Sequence, residues 1–134
     1  MKLDPGTIAY WRDFSPGNNK FVYILGVSAA EEVLSFTISS QLRYLQSDRH
    51  KNDLIEIAPY QLVAEFDRRS FIQCFFEVTC TPVGTFKRLE GKGTIMYRAC
   101  LPQFLRPMIP IVQASEHLSG YDQELVLSVI SPAS

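Results

Sequence analysis

The apolar positions of this chain fall in short runs separated by turn-forming residues. The strongest two, Phe21–Val27 and Val33–Ile38, are rich in Val, Ile, Phe and Tyr and flank a short break at Ser28–Glu32. Runs of this length and composition predict strands rather than helices, and so short a break predicts a hairpin. Upstream, Asp4-Pro5-Gly6 marks a turn. Thr7–Asp13 then predicts a first strand, with Ile8, Tyr10 and Trp11 contributing to the core. Ser15–Asn19 is the densest loop signal and leads directly into Lys20 and the hairpin. Downstream, Asp53–Ile57 alternates, with Leu54 and Glu56 on one face and Asp53, Ile55 and Ile57 on the other, and Pro59 ends it. Ser70–Val78 predicts another strand, Val83–Glu90 a short helix stopped by Gly91 and Gly93, and Thr94–Arg98 a last strand.

The tail has helical spacing. An interior proline costs a helix about 3 kcal/mol, so a start near Pro107 is expected, which keeps both Pro107 and Pro110 close to the first turn. Ile109, Val112 and Leu118 then form a loose apolar face. Ser119 or Asp122 can cap a second helix carrying Leu125, Val126, Val129 and Ile130. Together these elements predict a mainly β fold: a small, strongly bent SH3-like barrel over about residues 3–100 with C-terminal helices over about 101–131. No repeat or linker divides the chain, so one domain covers 1–134.

Composition narrows the functional classes. A 134-residue chain with 46% hydrophobic and 20% charged residues is long enough to bury a sizeable core. No apolar run approaches the 18 or more residues of a membrane span. The N-terminus carries acid and proline where a signal peptide has its apolar core, and the odd number of cysteines, 3, predicts free thiols; a cytoplasmic protein is expected. A net charge of −1 gives no general attraction for nucleic acid. Histidines and cysteines are too scattered for ligand spacing, so no metal and no cofactor are expected.

What chemistry the pattern offers sits at the open end of the hairpin. Lys20 stands on one side and Ser39 with Ser40 on the other, a cation and hydroxyls at adjacent strand ends. Arg43, Arg49, His50 and Lys51 make a basic segment in the polar stretch Leu42–Asn52, and Arg68-Arg69 precede the Ser70 strand. These are candidate RNA-contacting residues, each weighed against the ordinary reading of a solvated surface charge. His50 could also serve as a base near neutral pH. His117 is expected to meet helix-terminal carbonyls. Trp11, Phe71, Phe75 and Phe76 could stack bases, although aromatic residues on strands usually form core.

In this order of elements the chain resembles the PemK/MazF family, the growth-arrest toxins of bacterial toxin–antitoxin pairs. The resemblance is carried by PGTIAYWRDF and SPGNNK at the start, KFVYILGVS and FTISSQ in the hairpin, and SFIQCFFEV later, spanning roughly Leu3 to Val78. It implies an SH3-like barrel, a homodimer, an antitoxin partner, and metal-independent endoribonuclease cleavage of single-stranded RNA through attack of the ribose 2′-hydroxyl. Such chemistry needs a cation at the phosphate with a general base and acid. On this resemblance Lys20, Ser39 and Ser40 are the catalytic candidates, with Lys20 where the family often has arginine and so without its bidentate fork. Gln73 and Phe75 stand where one branch of the family has arginine and aspartate. Two readings therefore follow: an RNA-binding, RNA-cleaving toxin homologue, or a catalytically inactive SH3-like barrel acting as a protein-interaction module.

Overall fold

The computed structural model of the chain describes residues 3–39, 54–57, 70–74 and 78–133. Its strands are β1 (Thr7–Ser15), β2 (Asn18–Val27), β3 (Glu32–Ser39), β4 (Leu54–Ile57), β5 (Ser70–Gln73), β6 (Thr79–Pro82) and β7 (Ile95–Cys100). Helix α1 (Val83–Gly91) lies between β6 and β7. After β7 come a 3-10 turn (Pro102–Phe104) and helices α2 (Leu105–Gln113) and α3 (Gly120–Ala133). The strands form one antiparallel sheet in the order β4-β5-β3-β2-β1-β7, curled into a half-barrel, with β6 also paired to β3. A mainly β chain with C-terminal helices is therefore what the residues build.

The central hairpin forms where the apolar runs predicted it. β2 and β3 pair from Val27↔Val33 at the closed end to Phe21↔Ile38 near the open end. The connecting turn is held by Glu31 N–H donating to Ser28 O and Ser28 N–H donating to Glu32 O, both at 2.9 Å. A tight turn at Pro16–Gly17 joins β1 to β2, and Gly17 takes the positive φ, 76°, that it requires.

Ser70–Val78 is not one strand. Helical and strand propensities cannot decide this, but pairing does. Continuing the β3–β5 register of Ile38↔Ile72 would set Ser35 against position 75, whereas Ser35 pairs with Thr79. β5 therefore ends at Gln73, Cys74 lies in a turn, and β6 begins at Thr79 in a different register on the same edge of β3.

Pleating divides the sheet into two faces. The first carries Tyr23 and Leu25 from β2, Leu34, Phe36 and Ile38 from β3, and Ile55, Ile57 and Ile72 from the shorter strands. α2 and α3 cover it with Leu105, Met108, Val112, Val126 and Ile130. Burial of each large side chain in this layer contributes about 1.5–3 kcal/mol. The second face carries a smaller cluster in which Phe86 of α1 packs with Trp11, Val22, Ile24, Val33 and Ile95.

The tail differs from expectation in its start. α2 begins at Leu105, so Pro107 falls in the first turn but Pro110 lies inside the helix. The earlier start lets Leu105, Met108 and Val112 present one buried stripe, and Pro110 is exposed on the other side. Leu118 is not on that helix; it is buried in the α2–α3 connection, where its N–H donates to Ser115 Oγ at 3.1 Å. Ser119 is the cap of α3, its hydroxyl accepting from Asp122 N–H at 3.1 Å. The carbonyls at the end of α2 are met by Gln123, whose Nε2 donates to Val112 O at 3.0 Å and to Ser115 O at 2.8 Å. His117 sits in the connection, its backbone N–H on Ser115 Oγ.

Candidate functional site

Lys20 and Ser39 lie one residue beyond the last registered pair of the hairpin, Phe21↔Ile38, and so are neighbours at its open end. In an antiparallel pair such neighbours share a face and stand about 5 Å apart at the backbone. The row extends on both sides. Lys20 pairs with Trp11 of β1, Ser39 pairs with Phe71 of β5, and Phe71 pairs with Glu56 of β4. One cross-strand row on the second face thus reads Glu56, Phe71, Ser39, Lys20, Trp11.

The next row, two residues along each strand, is polar at its centre. Val22 pairs with Thr37, and Leu54 pairs with Gln73. Thr37 Oγ1 donates to Gln73 Oε1 at 2.8 Å. A third row sets Ser35 beside Ile24 and Thr79. Strand β3 therefore presents Ser35, Thr37 and Ser39 to the second face while Leu34, Phe36 and Ile38 face the helices. Gln73 is 5% exposed and Ser35 is 2% exposed, whereas Lys20, Thr37 and Ser39 are half-buried. A buried amide held by a hydroxyl forms the floor, and a lysine with two hydroxyl residues forms the rim.

Among the described residues of the first row, the two charges are well separated. Lys20 stands near the middle of the first row and exposed Glu56 at its far end, three strands away, which is roughly 14 Å at about 4.8 Å per strand. The arrangement can hold an anionic, oxygen-rich group through the Lys20 cation, the Ser39 hydroxyl beside it and the Gln73 amide N–H groups. Gln73 has no titrating proton, so it cannot serve as general acid or base.

The remaining sequence-level candidates divide clearly. Ser40, Arg43, Arg49, His50, Lys51, Arg68 and Arg69 lie outside the described residues, as do Phe75 and Phe76. Trp11 and Phe71 are buried core residues rather than stacking platforms: Trp11 meets Phe14 and Phe86 edge-on at 5.0 and 6.0 Å between ring centroids. Sequence reasoning missed Thr37 and Glu56 and treated Gln73 only as a departure from a pattern. The signal that finds the hydroxyl row is the strict alternation of Leu34-Ser35-Phe36-Thr37-Ile38-Ser39.

Among the described residues, Tyr23 and Cys80 have displaced ionisation. Burial pushes the Tyr23 phenol well above its ordinary range; its hydroxyl donates to Leu101 O at 2.7 Å. Burial, then the charges of Glu32 and Asp122, push the Cys80 thiol up. Cys74, Cys80 and Cys100 are all free thiols. Among the described residues no group of three or more His, Cys, Asp or Glu is placed to hold a metal ion, and no helix is long and apolar enough to cross a membrane.

Compared with known proteins, the chain matches no protein-family model, no curated protein and no solved structure.

Proposed function

We propose that the polar part of the second face binds the sugar–phosphate backbone of single-stranded RNA, in a barrel of the PemK/MazF type. The observation that carries this reading is the placement of Lys20 beside Ser39 on one face at the open hairpin end, continued by Thr37. A lysine supplies a point charge for a phosphate, and Ser39 places a hydroxyl beside it. In the cleaving form of this proposal Lys20 stabilises the charge that develops on the phosphorane as the ribose 2′-hydroxyl attacks.

A second reading is favoured by Gln73. Its amide is buried and tied to Thr37 at the position where an arginine would complete the family's proton-transfer set. That supports a barrel without catalysis, which binds a partner through the same face.

One experiment separates the two. Purified protein is incubated with long single-stranded RNA without added metal, and binding and cleavage are followed for the wild type, Lys20→Ala and Ser39→Ala. The RNA reading expects wild-type binding that weakens with salt, and a log–log salt slope shallower by about 0.7 in Lys20→Ala. Cleavage lost in both variants supports the nuclease; binding without cleavage supports the inactive barrel. No wild-type binding, or equal binding by all three proteins, overturns the RNA reading.

A further inference from the structure

Gln73 has a more specific role open to it than filling the floor of the polar face. Its side chain is 5% exposed, and a buried glutamine is retained only where its amide is satisfied or used. Thr37 Oγ1 donates to Gln73 Oε1 at 2.8 Å, which fixes the amide plane and commits the oxygen. The Nε2 group, with two donors, is then turned away from Thr37. Gln73 lies one row in from Lys20 and Ser39, two residues along the strand, or about 6.8 Å. A phosphate held at Lys20 would therefore leave the attached nucleoside over Thr37 and Gln73. A neutral amide adds little to attraction for the backbone, but it distinguishes acceptors from donors.

We propose that Gln73, oriented by Thr37, is a specificity-determining residue that donates from Nε2 to the position 4 carbonyl of a uracil base in bound single-stranded RNA. This rests on the RNA-binding reading of the same face. Uracil and cytosine provide the sharpest contrast, because position 4 carries an acceptor oxygen in one and a donor amino group in the other. The protein favours uracil. Thr37 is a positioning residue: without its hydroxyl the amide can turn over and present its oxygen instead.

The test measures affinity for oligo(U) and oligo(C) of equal length at fixed salt. The wild type is expected to prefer oligo(U) by about tenfold, the scale of one base-edge hydrogen-bonding contact. Gln73→Glu, which keeps the shape and removes the donors, should abolish or reverse that ratio. Thr37→Val, nearly isosteric, should bring the ratio towards one while leaving the salt dependence unchanged, and it serves if Gln73→Glu does not fold. Lys20→Ala should weaken both oligomers equally and preserve the ratio. Equal wild-type affinity for the two oligomers overturns the proposal. So does an unchanged ratio in the folded Gln73 and Thr37 variants. Failure of the wild type to bind either oligomer overturns instead the RNA reading on which the proposal rests.

Discussion

The two faces of β3 are made by one stretch of eight residues and do opposite work. Leu34, Phe36 and Ile38 meet α2 and α3 in a continuous apolar layer, while Ser35, Thr37 and Ser39 meet Gln73, Thr79 and, across the hairpin, Lys20. The strand's neighbours sharpen the contrast. Toward β1 and β7 the second face is apolar and covered by Phe86 of α1; toward β5 it gains Thr37 and Gln73 beside Phe71. Stability is thus concentrated on one side, and hydrogen-bonding capacity is left on the other. The contrast predicts that changes one residue apart along β3 affect different properties.

The largest effect is expected on the apolar side. Phe36 is fully buried, so Phe36→Ala should cost about 3–5 kcal/mol, enough to unfold much of a domain of ordinary stability. Thr37→Val should change the unfolding midpoint in denaturant far less, by an amount near the single hydrogen bond lost, about 1 kcal/mol. Equal destabilisation by the two would break the distinction between the faces.

A smaller loss tests how closely the helices approach the sheet. β2 shifts register between Ile24 and Gly26, and Gly26 holds φ at 145°. A Cβ there would stand 2.6 Å from Val129 Cγ1 of α3. Gly26→Ala should therefore destabilise by about 2 kcal/mol through backbone strain and overpacking, and Val129→Ala should recover part of the loss. Additive losses in the double variant, measured by chemical unfolding, would show that the two sites are not coupled.

Smaller still is the effect of the Tyr23 phenol, buried on the helix-covered face. Tyr23→Phe removes the bond to Leu101 O and should cost about 1 kcal/mol at neutral pH. The pH dependence has a definite sign. Burial raises the folded phenol above its unfolded value, so the folded state holds this proton more tightly. That contribution is complete below the unfolded value, about pH 10, and is lost as pH rises through the folded one. Wild-type stability should fall in alkaline solution more steeply than that of Tyr23→Phe, and parallel curves would contradict the assignment.

The hairpin, β4, α1 and the helical tail are legible in the sequence because each is a local pattern: short apolar runs, one alternation, Gly91 at the end of one helix, Ser119 before another. The juxtaposition of Lys20 with Ser39 follows from the hairpin itself. What escapes is non-local or masked by composition. β6, Thr79-Cys80-Thr81-Pro82, has no apolar run to announce it and exists because β3 offers a free edge at Glu32–Ser35. The polar row was hidden because Val33–Ile38 reads as one apolar run unless its alternation is followed to Ser39. Gln73 is placed by the pairing of β5 with β4 and β3, and its amide is oriented by Thr37, 36 residues away. Gln123 meets the end of α2 from the next helix, a pairing no local capping signal encodes.

The division of labour between the faces is tested most directly by backbone amide chemical shifts during titration with a single-stranded RNA oligomer. The largest shifts are expected at Lys20, Thr37, Ser39 and Gln73, while the helix-covered positions on α2 and α3 should move little. Absence of shifts at saturating RNA, or shifts concentrated on α2 and α3 instead, would contradict that division.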